Sequence, residues 1–86
     1  NYFNAYYNSG YIYLEHLQVY DSAAIFFTEA LDHGPDQYFQ AMYNRGLAYE
    51  RLEDFKNAKL DYTEVLSINP QYDLAALGLS RLEELE

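Results

Sequence analysis

Residues 42–70 read MYNRGLAYERLEDFKNAKLDYTEVLSINP, and the spacing of their apolar residues decides the fold. Met42, Gly46 and Tyr49 fall at steps of four and three, one stripe of a 3.6-residue helix. Ala58, Tyr62, Val65 and Leu66 form a second stripe of the same period. Glu53 and Asp54 lie between the stripes, and an aspartate just ahead of an apolar stripe suits an N-cap, so Asp54 is expected to start a helix at Phe55. Asn69-Pro70 closes the unit, because proline cannot continue the backbone ladder. The segment is therefore expected to be two helices joined by a tight turn.

Working outward, the same pattern occurs upstream. Tyr7, Asn8, Gly10 and Tyr13 match Tyr43, Asn44, Gly46 and Tyr49 at an offset of 46 − 10 = 36. Tyr20, Ala23, Phe27, Thr28, Glu29, Leu31 and Pro35 match Phe55, Ala58, Tyr62, Thr63, Glu64, Leu66 and Pro70 at 70 − 35 = 35. The change of offset places one inserted residue in or just before the turn of the first unit. Tyr6, Gly10, Tyr13 and Leu17 make the first stripe, and Ala23, Phe27, Ala30 and Leu31 the second. Gly34-Pro35 stops the second helix, with Gly34 expected in the left-handed cap conformation. Five helices are predicted, near 2–17, 21–33, 36–52, 55–68 and 71–85. Sustained period-two alternation is missing, so no strand is predicted.

The glycines carry a packing argument. Gly10 and Gly46 sit in mid-helix, where glycine costs about 1 kcal/mol relative to alanine. Two such costs at matching places imply a close helix crossing, with Phe27 and Tyr62 filling the space left by the missing side chains.

A small residue in the first helix, an aromatic three later, then alanine, aromatic and proline in the second is a pattern that resembles the tetratricopeptide repeat. Residues 42–70 look like a nearly complete copy, with Val65 where an alanine is usual. Residues 6–35 resemble a looser one, and 71–85 look like the helix that solvates the end of such arrays. The resemblance implies an all-α superhelix of antiparallel helical hairpins in a single domain over 1–86, with repeats at about 3–36 and 38–71 and a capping helix at 71–85. It also implies a non-catalytic module that binds a protein or peptide segment on a concave face lined by the first helix of each pair. Carried onto this sequence, that face comprises Asn4, Tyr7, Tyr11, Leu14 and Glu15 around Gly10, and Gln40, Tyr43, Leu47, Glu50 and Arg51 around Gly46. Asn8 and Asn44 lie near the seam. If Ser80 plays the small-residue part in the last helix, Leu77 and Arg81 join them. One subset of the family grips a C-terminal carboxylate with lysines and asparagines. Here Tyr7 stands at a clamp lysine and Tyr11 at a clamp asparagine, and only Asn44 fits, so a carboxylate clamp is not expected.

Charge narrows the partner. The net charge is −9. Residues 1–44 hold five acids, Glu15, Asp21, Glu29, Asp32 and Asp36, and no Lys or Arg. Phosphate backbones and anionic membranes need clustered cations, so neither nucleic acid nor membrane is an expected partner. An apolar or basic protein segment is. Tyrosine, at 11 residues, offers contact area with a polar tip and little rotamer entropy to lose.

Chemistry-bearing motifs are sparse. There is no cysteine, which removes thiolate catalysis, disulfides and thiolate metal sites. His33 sits between Asp32 and Asp36, but a histidine near a helix C-terminus complements the dipole without any metal. His16 is read as a surface residue. No phosphate loop or paired-histidine zinc motif is present, and no cofactor, metal site or enzyme activity is expected. The chain opens on Asn1 rather than Met, which leaves room for a piece of a larger protein, no signal segment opens it, and a cytoplasmic setting is permitted. Two competing readings stand beside partner binding. One is self-association through the aromatic opening Tyr2, Phe3, Tyr6 and Tyr7, forming a homo-oligomer or joining a longer array. The other is an accessory segment of a larger enzyme.

Overall fold

The computed structural model describes residues 1–85. Its elements are α1 (Tyr2–Tyr11), continued by a π-helical turn over Ile12–Leu17, then α2 (Tyr20–His33), α3 (Phe39–Arg51), α4 (Phe55–Ile68) and α5 (Asp73–Glu84). The described residues are 81% helical and contain no strand. It is a stack of helical hairpins, α1 against α2 and α3 against α4, with α5 laid on α4.

The close crossings form where the glycines predict them. A Cβ on Gly10 would lie 2.8 Å from Phe27, and one on Gly46 would lie 2.8 Å from Tyr62. Phe27 and Tyr62 are both fully buried, each at the centre of one of two core clusters. Alanines complete those clusters: Ala23, Ala30, Ala41 and Ala48 around Phe27, Ala58 and Ala75 around Tyr62. Small side chains let helices approach until an aromatic ring fills the gap, which is how a thin chain reaches interior packing density.

The extra residue of the first unit has a definite address. In the second hairpin the Asp54 N–H donates to the Tyr49 carbonyl at 2.9 Å, and in the first the Val19 N–H donates to the Tyr13 carbonyl at 2.9 Å. The donors differ by 54 − 19 = 35 and the acceptors by 49 − 13 = 36, so the insertion lies between Tyr13 and Val19. The π-helical turn absorbs it, since i→i+5 bonds admit one more residue per turn. Both hairpins then leave the helix through a left-handed residue at the same place, Gln18 (φ 56°) and Glu53 (φ 61°).

Asp54 caps α4 as expected. Its carboxylate accepts from the Asn57 backbone N–H at 3.4 Å and from the Asn57 side-chain amide at 2.7 Å. The matching residue ahead of α2 is Val19, which offers no side-chain cap. Two expected boundaries move inward. α3 begins at Phe39 because Gln37 turns through the left-handed region (φ 59°) and Tyr38 is the N-cap residue, and α5 begins at Asp73. The first helix keeps its expected extent but changes to π geometry after Tyr11. Gly34 is not left-handed. Its φ is −99°, and glycine is required there because a Cβ would lie 2.6 Å from the Ala30 carbonyl oxygen. The aromatic opening is mostly packed as well: Phe3 meets the Tyr38 ring edge-on, Tyr6 meets His33 and Tyr7 stacks on Tyr38. Only Tyr2 of the four is strongly exposed.

Candidate protein-binding groove

Helices α1, α3 and α5 are joined side to side by polar contacts between residues distant in sequence. Asn44 on α3 donates its side-chain amide to the Tyr7 hydroxyl on α1 at 2.8 Å. Arg81 on α5 donates Nε and Nη2 to the Glu50 carboxylate on α3, at 2.9 and 3.0 Å. The Tyr62 hydroxyl donates to the same carboxylate at 2.7 Å. Planar two-point pairing of this kind sets orientation as well as energy.

Aromatic rings form the floor. Tyr7 stacks on Tyr38, with centroids 5.5 Å apart, and meets the buried Phe27 edge-on at 5.7 Å. Tyr43 meets Tyr72 edge-on at 5.4 Å and leans on Tyr62 at 5.8 Å, while Phe39 meets Tyr72 at 5.2 Å. Tyr7 and Tyr43 are thus half-buried supports. Tyr11, by contrast, is exposed and meets the His16 ring edge-on.

The electrostatics follow from that packing. Burial pushes the Tyr43 hydroxyl above its ordinary pKa of 10.0, opposed by Arg81 and reinforced by Tyr72, Glu50 and Glu15. Burial likewise raises Tyr7, opposed by the Asn44 hydrogen bond. Glu50 is held below the ordinary 4.5, chiefly by the hydrogen bond from Arg81, against a smaller effect of burial and with help from Tyr62. Tyr62 is raised by burial and by its bond to Glu50. Arg81 is therefore paired in place, and the exposed Glu15 acts on the Tyr43 hydroxyl.

The remaining expected groove residues divide. Asn4 and Gln40 are exposed, Leu47 is half-buried against both cores, and Leu77 is exposed on α5. Leu14 is corrected. It is buried in the first core cluster, because the π-helical turn advances through a smaller angle per residue and carries Leu14 back toward the direction of Gly10. Arg51 points to α2, its guanidinium 5.9 Å from the Tyr20 ring centroid. Ser80 is also corrected. The small residue that α5 presses on Tyr62 is Gly78, where a Cβ would come within 2.6 Å of the ring, and Ser80 is exposed.

Sequence reasoning missed Tyr38, Tyr72 and Leu74. A signal for them existed: 72 − 38 = 34, and Leu74 and Leu77 follow Gln40 and Tyr43 by the same 34. It also missed Arg45, whose guanidinium pairs with the buried Asp61 at 2.7 and 2.9 Å and donates to Thr28 at 3.1 Å. His33 bonds the Glu29 backbone oxygen at 2.9 Å, and the described residues hold no cluster of metal-ligating side chains. Among the described residues no helix is long and apolar enough to cross a membrane.

Residues 39–72 match the family model of the tetratricopeptide repeat. That segment is a tetratricopeptide repeat. The matched tetratricopeptide repeat comprises α3, α4 and the turn up to α5, so the Gly46–Tyr62 notch and the Asp54 cap are its own. No curated protein and no solved structure matches the chain. Tetratricopeptide repeats serve protein–protein interaction generally.

Proposed function

We propose that this is a non-catalytic protein-binding module. The face built from α1, α3 and α5 takes an apolar or basic segment of a partner protein. The observation that carries this reading is the side-to-side tie of the three helices through Tyr7–Asn44 and Glu50–Arg81, which makes their exposed residues one surface. Tyr11, Leu74 and Leu77 supply exposed apolar area on it, and Glu15 supplies negative charge. Tyr7 and Tyr43 act mainly as supports. In the same reading α1–α2 is a divergent repeat with a π-helical insertion, and α5 is the first helix of a third unit.

A peptide library selected on the wild-type chain tests this. Selected peptides should lose binding to Tyr11→Ser and Leu77→Ser, both of which alter exposed residues and should leave helical content unchanged. Equal binding by those variants would sink the groove reading.

A further inference from the structure

Away from the groove, two shallow pockets lie between the outer helix of a hairpin and the inner helix that follows it. The first, about 330 Å³, is floored by Ile25, Tyr49 and Leu52, with Asp21 and Glu29 at its rim. The second, about 360 Å³, is floored by Phe55, Leu82 and Leu85, with Lys56 and Lys59 at its rim. They are successive occurrences of one groove: 56 − 21 = 35 and 59 − 24 = 35, the offset between α2 and α4. Both floors are apolar, and at the matched rim position the acid Asp21 gives way to the base Lys56, while Lys59 takes the place of Ala24. Ile25, in the first pocket, is 63% exposed, and Leu60, its match 35 residues later on α4, is 60% exposed. Contiguous exposed apolar surface of this kind marks interaction sites.

We propose that a second copy of this chain covers the face, in a two-fold dimer that sets α2 of each copy on α4 of the other. An axis running along the outer helices performs that exchange. It places Asp21 opposite Lys56 twice and Ile25 opposite Leu60 twice, as an isologous interface requires. The choice of occupant rests on charge. With a net charge of −9, two copies repel unless their contact pairs opposite signs. Arg45 and Arg81 are tied to Asp61 and Glu50, and Arg51 lies over Tyr20. The two lysines of the chain are both at the second pocket. Glu29 would meet Glu64 if the helices lay parallel, so the contact concentrates at the N-terminal halves of α2 and α4. The helices then splay beyond Ile25 and Leu60 at one of the ordinary crossing angles.

The test is sedimentation of the whole chain over a wide concentration range, with helical content monitored by circular dichroism. The wild type should be a dimer that dissociates on dilution. Asp21→Lys and Lys56→Asp alter exposed residues, and each should weaken the dimer by about tenfold or more, since like charges across an interface are costly. The double charge swap should restore it, and Ile25→Glu should abolish it. Tyr11→Ser in the groove should leave it unchanged. A wild type that stays monomeric at high concentration overturns the proposal. So does a dimer indifferent to the single reversals, or one that the double swap fails to restore.

Discussion

At one matching level the two hairpins are built oppositely. In the first, Tyr13 stacks on Phe26, centroids 5.3 Å apart. In the second, the residues 36 and 35 positions later are Tyr49 and Asp61, and Arg45 bridges them, its guanidinium 5.8 Å over the Tyr49 ring and bonded to the Asp61 carboxylate. An apolar contact and an ion pair occupy the same place. The notch aromatics differ likewise. Phe27 fills the Gly10 notch with no polar tip, whereas Tyr62 fills the Gly46 notch and sends a hydroxyl to Glu50, which Arg81 also holds. The second hairpin therefore reaches its neighbours through polar bonds, to Thr28 on one side and Arg81 on the other. The seam between the two hairpins adds the Tyr7–Tyr38 stack and the Tyr7–Asn44 bond to the Arg45–Thr28 bond. Apolar packing tolerates changes of detail, while a buried charge demands its partner.

That contrast can be broken most strongly at Arg45. Arg45→Ser leaves the Asp61 carboxylate buried and unpaired, which should cost about 3–5 kcal/mol in urea unfolding. Adding Asp61→Phe transplants the first hairpin's pattern, with Ser9 and Phe26 as its models, and should recover most of the loss. If the double variant is no more stable than the single, the two hairpins are not interchangeable here.

The notches should differ next. Tyr62 is wedged between Gly46 and Gly78, with a Cβ on either coming within 2.8 Å of its ring. Gly46→Ala should destabilise by about 1–3 kcal/mol through overpacking, only partly offset by about 1 kcal/mol of helix propensity. Phe27 faces a single glycine, Gly10, on this criterion, so Gly10→Ala should cost less. Thermal melts of the two variants side by side decide it.

The caps give a smaller and reciprocal pair. Asp54→Ala should lose about 1 kcal/mol, and Val19→Asp should gain a comparable amount by supplying α2 with the cap it lacks. A Val19→Asp variant that melts no higher would mean that the π-helical turn holds the start of α2 out of capping geometry.

The smallest effect expected is a pH dependence peculiar to the second hairpin. The Glu50 pKa is depressed in the folded chain, with the Arg81 bond as the leading cause. A depressed carboxylate contributes stability above its unfolded pKa, and that contribution is lost as pH falls through the folded value. Melting temperature should therefore drop as pH falls below the ordinary 4.5, and Glu50→Gln should flatten that part of the drop. An identical acid limb in the variant would remove Glu50 as its source.

Much of the candidate surface was legible before the structure because helical period assigns faces. Tyr7, Tyr43, Asn44 and Arg81 all fall where α1, α3 and α5 meet. Leu14 was misplaced because a one-residue insertion shifts helical phase, and the sequence bounded it only by two offsets. Arg51 was misplaced because a long side chain at a helix end can turn to either side, and the Tyr20 ring drew it toward α2.

By itself the sequence determined the hairpins, their glycine notches and aromatic fillers, the Asp54 cap and the absence of strands. These are local or periodic properties, set by 3.6-residue spacing and by residues with one dominant use. Tertiary structure decided what depends on approach between distant segments. It bonded Arg45 to Asp61, Arg81 to Glu50 and Asn44 to Tyr7, turned two groove tyrosines into supports, and gave Gly78 the place expected for Ser80. The physical reason is that side-chain pairing depends on distance and burial in three dimensions, which no spacing along the chain specifies.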